Sequence, residues 1–369
     1  MTAVRGGQPD SGRPAAPPPA PDGAASRHGR GPTLEQVARR AGVGRGTVSR
    51  VVNGSPRVSD RTRAAVEAAI AELGYVPNRA ARALAAGSAD AVALVVPEPE
   101  SRFFAEPYFS AVVQGAGAEL SRADMQMLLT LLHGRKEQDR FAQYAASQRI
   151  DGVLLVSVHA GDSLPDVLAA AGIPAVLNGR RYADEPLPYV DCDNTGGARA
   201  AVAHLVARGR RSVATITGPS DMYAARCRTE GYRQALREAG LAAGEHLVEE
   251  GDFTEDGGHA AMRALLERAP ELDAVFCASD VMAAGARLAL REAGRTVPDE
   301  VALVGFDDSA VARHMDPPLT TVRQPTAEMG REMARLLLEL LGRSAPGTPP
   351  ADGAHHRVLP TELIHRGSS

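Results

Sequence analysis

The apolar positions change period along the chain, and each change marks a boundary. Residues 1–32 show no apolar periodicity and hold seven prolines and six glycines. Such a segment buries too little surface to offset its chain entropy, so a disordered tail is expected. From Thr33 a helical period begins: Leu34, Val37, Ala38 and Ala41 share one face behind a Thr33/Gln36 capping box, and Gly42 stops the run. A second short helix is expected over Arg45–Val52, with Val48, Val51 and Val52 apolar and Asn53-Gly54 ending it. Ser59 caps a third, whose stripe is Val66, Ala69, Ile70 and Leu73 before Gly74. A short alanine-rich stretch, Asn78 to Ala86, and a Gly87-Ser88 linker follow.

After Asp90 near-continuous apolar runs alternate with helical stretches. The runs are AVALVV (91–96), MQMLLTLL (125–132), GVLLVSV (152–158), PAVL (174–177), SVATIT (212–217), AVFCAS (274–279) and VALVGF (301–306). This texture predicts parallel sheets covered on both faces, and about ten strand–helix units exceed one compact sheet. The expected fold is therefore an N-terminal all-α module followed by an α/β body of two doubly wound lobes. Boundaries are expected at 1–32 (tail), 33–77 (helical module), 78–88 (linker) and 89–366 (body). Lobe 1 takes about 89–190 and 322–342, lobe 2 about 191–321 and 354–366, with crossings near 190, near 321 and in the Pro/Gly-rich 342–353.

Composition narrows the function classes. The 369 residues carry 41 basic and 45 acidic side chains, a net charge of −4 that on its face argues against a nucleic-acid partner. Splitting the chain reverses the argument. Residues 1–87 hold 13 arginines and 6 acids, a surplus of +7, whereas residues 88–369 hold 28 basic and 39 acidic side chains, −11. Positive charge is thus concentrated on the helical module. Three cysteines with no C-x-x-C pair argue against a disulfide framework or zinc ribbon and for a reducing compartment. No apolar run is long enough for a membrane span, and the N-terminal residues carry no apolar signal core, so a soluble cytoplasmic protein is expected. G-x-x-x-x-G-K-[ST], G-x-G-x-x-G and G-x-S-x-G are all missing, and His, Cys and Asp never cluster at metal-ligand spacing. Neither catalysis, nor a cofactor, nor a metal is expected.

Three short helices in about 45 residues, with Gly42 supplying a tight turn, form a helix-turn-helix arrangement. The run TLEQVARRAGVGRGTVSRVVNGSPRVSDRTRAAVEAAIAELGYVPNRAARALA (33–85) resembles the headpiece and hinge of the lactose/galactose repressor (LacI/GalR) family. TVSRVVN, VS-x-x-TR and LGY-x-PN-x-x-A-x-x-L carry the match, which continues more weakly through residue 366. The resemblance implies a helix-turn-helix headpiece on a two-lobed, periplasmic-binding-protein-like body. It further implies a homodimer on a pseudopalindromic double-stranded DNA operator, controlled by a small-molecule effector, most often a sugar. Whether the effector induces or corepresses stays open. The last residues carry no heptad run, which favours a dimer over a tetramer.

By position in that family, the second helix enters the major groove. Arg45 and Gly46 fall at the two base-discriminating positions, where an arginine can donate a bidentate pair to guanine while glycine reads nothing. Ser49 and Arg50 match positions that meet phosphate or base edges, and Thr33, Thr47, Asn53 and Ser59 match phosphate contacts. Thr33 and Ser59 equally suit a purely capping role. Asn78 opens the hinge segment, expected to fold on DNA, and Leu84 falls at the family's minor-groove wedge.

In the body, ligands of open α/β sheets sit beyond the carboxyl ends of the strands. Arg228, in GPSDMYAARCRTEGYRQAL (218–236), matches the family's GP…R-x-x-GY stretch and would fork across adjacent hydroxyls. Asp307 of GFDD would accept hydroxyl protons opposite it, with Asp308 capping the next turn. Asp280 is a ligand candidate or a helix N-cap. The first lobe offers Glu98 and Phe109 from VPEPESRFFAEPYFS (96–110) and Arg180 from NGRR (178–181). A periplasmic-type solute-binding protein without a regulatory role is the competing reading, since it would share the body but has no use for residues 33–86.

Overall fold

Seven buried side chains hold three helices together at the N-terminal end: Val37, Ala38, Val48, Val51, Val66, Ala69 and Tyr75. The structure, a computed structural model, describes residues 2–3, 32–52, 55, 57–75, 88–147, 149–343 and 355–369. The chain divides at residues 82–83 into two compact units. In the first, α1 (Leu34–Ala41), α2 (Arg45–Val52) and α3 (Asp60–Leu73) run as the apolar stripes predict. The capping box is formed in both directions: the Thr33 hydroxyl accepts the Gln36 amide at 3.3 Å, and the Thr33 amide donates to Gln36 Oε1 at 2.7 Å. Gly42, at φ +65°, takes the left-handed conformation that turns the chain from α1 into α2. The Ser59 hydroxyl accepts the Thr62 amide and caps α3.

The body begins with β1 (Ala91–Val96), α4 (Glu100–Ala105), α5 (Pro107–Arg122), β2 (Gln126–Leu131), α6 (Gly134–Ala146), β3 (Gly152–Leu155), α7 (Leu164–Ala170), β4 (Ala175–Asn178) and β5 (Tyr189–Cys192). It continues with α8 (Asn194–Ala207), β6 (Val213–Thr217), α9 (Tyr223–Glu238), β7 (Val248–Glu250), α10 (Glu255–Arg268), β8 (Ala274–Cys277), α11 (Asp280–Glu292), β9 (Ala302–Asp307) and α12 (Ala310–His314). It closes with β10 (Thr320–Arg323), α13 (Thr326–Leu340), β11 (His356–Leu359) and β12 (Glu362–Ile364). The strands form two six-stranded sheets, ordered β11-β5-β4-β3-β1-β2 and β12-β10-β9-β8-β6-β7. Every pairing is parallel except β12 against β10. Strands buried on both faces, such as β1 and β8, read as unbroken apolar runs for that reason.

The lobes are connected three times, but not all where the composition suggested. The first crossing follows β5, and the second falls after β10, at Gln324-Pro325. The third lies between β11 and β12, not in 342–353: residues 356–359 pair with β5 and so belong to lobe 1, not lobe 2. β5, β7, β10, β11 and β12 are three or four residues long, too short to establish a period, and escape pattern reading. The stretch 96–110 is largely helical, and Pro107 ends α4 at Glu106 and starts α5. In lobe 1, α5 and α13 touch backbone to backbone. A Cβ on Gly115 would lie 1.9 Å from the Ala327 carbonyl oxygen, and one on Gly330 2.3 Å from that of Val112.

Candidate functional site

Strand order reverses between β1 and β3 in one sheet and between β6 and β8 in the other, which opens a crevice at the carboxyl ends of both sets of strands. A narrow cleft with about 70 Å³ of free interior space lies there between the lobes. Four of the six expected effector residues line it: Phe109, Arg180, Arg228 and Asp307.

Arg228 comes from α9 and is buried. Its Nε donates to Asn194 Oδ1 at 2.8 Å and Nη1 to the Ala278 carbonyl at 2.5 Å, and the guanidinium lies 3.7 Å above the centre of the Phe306 ring. The head is therefore fixed before any ligand arrives. Asp307 Oδ1 sits 3.7 Å from Arg228 Nη1 and accepts from Gln324 Nε2 at 2.6 Å. Burial drives the Asp307 carboxyl well above the ordinary aspartate range, against the pull of Arg228. Glu230, two residues on, pairs with Arg237 and not with Arg228.

Arg180 donates through Nε to Asp191 at 3.0 Å and through Nη1 to the Tyr189 hydroxyl at 3.1 Å, and stacks over Tyr189 and Tyr223. Phe109 lies in the core of lobe 1 with one face toward the cleft. Phe253, at φ +66°, faces the same space from lobe 2. Ser157 and Asp307 also carry positive φ, at +61° and +121°. Non-glycine residues held there cost about 1–3 kcal/mol each and gather where function requires them.

Two expected ligands are placed elsewhere. Glu98 is buried outside the cleft lining, where it accepts from Arg102 Nη1 at 2.8 Å, Ser157 Oγ at 2.5 Å and His159 Nε2 at 3.2 Å. His159 in turn meets Asp221 Oδ2 at 2.8 Å through Nδ1, and the Ala160 amide donates to the Asp221 carbonyl at 3.0 Å. Glu98 and His159 belong to lobe 1 and Asp221 to lobe 2, so this chain of charges fastens the lobes beside the cleft. The two carboxylates raise the His159 pKa to about 9, the Glu98 hydrogen bond foremost, despite its partial burial. Asp280 is neither cleft ligand nor N-cap: Ser279 caps α11, while Asp280 accepts the Ser309 amide and the Thr321 hydroxyl inside lobe 2. Asp308 does not cap either; it pairs with Arg323 and Arg366.

Sequence reasoning passed over Arg102, Glu106, Asn178, Asp191 and Gln324, all lining the cleft. Asn178 and Gln324 stand at the carboxyl ends of β4 and β10, so strand-end position alone would have singled them out.

In the N-terminal unit Arg45, Gly46 and Arg50 are exposed on α2, with Thr47 and Ser49 half-buried beside them. Arg45 reaches Glu35 at 3.6 Å with 72% of its side chain exposed. Thr33 and Ser59 act as caps, each bonding the amide three residues on. Asn53, Asn78 and Leu84, and with them the hinge segment, lie outside the described residues. Among the described residues no His/Cys/Asp/Glu group could hold a metal, and no helix is long and apolar enough to cross a membrane.

Comparison with known proteins places both units. Residues 33–78 match the model for bacterial regulatory proteins of the lacI family, and residues 202–369 match a periplasmic binding protein-like domain. The chain is 54% identical over 341 residues to the HTH-type transcriptional regulator CelR of Thermobifida fusca, covering 92% of this chain and 98% of that one. A solved CelR–cellobiose complex shares 50% identity at a TM-score of 0.71, covering 92% of this chain and all of that one. The lac repressor dimer bound to operator and the anti-inducer ONPF gives 28% identity and a TM-score of 0.80 over 92% of this chain and 99% of that one. A DNA-reading module joined to a ligand-binding body rules out a solute-binding protein without a regulatory role. The chain belongs to the lacI family of bacterial regulatory proteins and is a DNA-binding transcriptional regulator.

Proposed function

We propose that this regulator is a cytoplasmic homodimeric repressor without catalytic activity, whose grip on a pseudopalindromic operator is set by an uncharged sugar bound between the lobes. The observation that carries the reading is the Arg228–Asp307–Gln324 set: a fixed planar donor beside an acceptor, both buried and both open to the cleft. Adjacent hydroxyls, each donor and acceptor, match such a pair, and Phe253 offers an apolar wall for a ring face. The cellobiose held by the 50%-identical relative makes a β-linked glucose disaccharide the first ligand to test.

On the DNA side, α2 would present Arg45 to a base edge, with Thr33, Thr47, Ser49, Arg50 and Ser59 against backbone and flanking bases. Asn53, Asn78 and Leu84 keep the phosphate, hinge and wedge roles that the family pattern implies. Glu98 and Asp280 are assigned no ligand contact. The second copy would pack on the outer edge of lobe 1, where β2 leaves Leu128 and Leu129 exposed.

The test is a binding selection for the operator, followed by fluorescence anisotropy on the selected duplex with cellobiose, glucose, maltose, ribose and nucleosides. Cellobiose is expected to change operator affinity at least tenfold, while the other ligands have little effect. No palindromic site emerging, or no sugar altering its affinity, overturns the proposal.

A further inference from the structure

Three acids line the cleft, and their surroundings differ. Asp191 is satisfied by Arg180 and by the Cys192 amide at 2.8 Å, and Asp307 by Gln324. Among the described residues Glu106 has a single contact to a protein donor, 3.4 Å from Arg102 Nε, although its side chain is only 11% exposed. A carboxylate offers about four acceptor sites, so most of this group's hydrogen-bonding capacity is unmet by the described residues. Arg102 is not a dedicated partner, since its Nη1 is held at 2.8 Å by Glu98.

No structural task accounts for the residue. Glu106 occupies the N-cap position of α5, yet its side chain makes no cap hydrogen bond. Pro107 fixes the residue before it in an extended conformation, observed at φ −99° and ψ 115°. The side chain leaves the helix end uncapped and lines the cleft. Leaving a buried carboxyl under-satisfied is costly, and a ligand donor would relieve that cost.

We propose that Glu106 is a specificity-determining residue of the effector site, accepting sugar hydroxyls from lobe 1 as Asp307 does from lobe 2. The inference rests on the sugar reading above and names the partner of that ligand's far end. A ligand able to donate at both ends would bridge the lobes through two buried acids, whereas one lacking a hydroxyl at the Glu106 end would leave that acid unpaired. Burial, foremost, and the nearby Glu98 charge raise the Glu106 pKa to about 7. Hydroxyls donating to the carboxylate favour its ionised form, so binding should release protons near neutrality.

Calorimetry on the full chain tests this, with cellobiose and a panel of neutral di- and monosaccharides at pH 7 in two buffers of different ionisation enthalpy. For the wild type, a fraction of a proton is expected to leave on binding. E106Q is expected to bind the same sugar at least tenfold more weakly with a smaller buffer dependence, and to unfold at the wild-type temperature or above because a buried charge is gone. E106Q binding as tightly as wild type, with the same proton count, overturns the role of Glu106 and leaves the sugar reading intact. A wild type that binds no sugar of the panel overturns both. A lowered unfolding temperature in E106Q with unchanged affinity assigns Glu106 to the fold and also overturns the proposal.

Discussion

Arg45 and Arg228 are the same side chain put to opposite uses. On α2, Arg45 stands 72% exposed with one loose carboxylate at 3.6 Å; on α9, Arg228 is 7% exposed and held by Asn194, Ala278 and the Phe306 ring. A surface ion pair of the first kind contributes about 0–1 kcal/mol, so the side chain is free to exchange it for a base or phosphate. A buried cation of the second kind cannot be released without exposing its acid, so its geometry is set in advance and the ligand must fit it. The DNA module is built to be completed by its partner, whereas the cleft is nearly complete before its ligand comes.

Four changes would sharpen or break that contrast. Arg228→Ala should have the largest effect, costing about 2–6 kcal/mol of stability by leaving the buried Asn194 Oδ1 and Ala278 carbonyl without their donor. Thermal unfolding would record a marked fall, and calorimetry the loss of measurable sugar binding; a variant of unchanged stability would show that the cleft is less preorganised than its contacts imply. Arg45→Ala should leave the unfolding temperature alone. Measured across a base-substituted operator set, it should flatten preference at one symmetric position by about 1–3 kcal/mol. Unaltered specificity would remove α2 from base readout.

Thr33→Ala removes a formed capping box and should cost the N-terminal unit about 1 kcal/mol. Hydrogen exchange of the α1 amides would report it, with the cleft untouched. The fourth change probes the Glu98–His159–Asp221 fastening through pH. The His159 pKa is raised from 6.5 to about 9, so the charged form contributes fully below about 6.5 and its contribution fades as pH rises through about 9. The groups facing it are Glu98, Asp221 and Asp162. The gap in unfolding temperature between wild type and His159→Gln should therefore narrow between pH 7 and 9.5. A gap that stays constant over that range would mean the lobes are not fastened by the protonated ring.

Legibility in the sequence divided along the same line. Each headpiece helix was readable because its signals are local: a Thr33/Gln36 box, a glycine at a turn, stripes at helical spacing. The long strands of the body were readable because a strand buried on both faces must be apolar throughout. The short strands were not, and β11 was assigned to the wrong lobe, because HRVL has no period and its place depends on pairing with Tyr189–Cys192 across a large loop in sequence. In the cleft, Arg228 and Asp307 followed from the family pattern. Glu98 and Asp280 sit in the same kind of strand-end context, yet each is turned to a neighbour brought in from elsewhere, His159 and Thr321 respectively.

The sequence alone thus determined the charge division, with +7 on the first 87 residues and −11 on the rest, the three-helix reader and the two-lobed class of the body. These depend on composition and on period, which survive without coordinates. Only the tertiary structure decided which acids line the cleft and which are spent within the protein. That choice is made by desolvation and by partners distant in the chain: Glu98 is answered on three sides, while Glu106, eight residues on, is left facing the cleft.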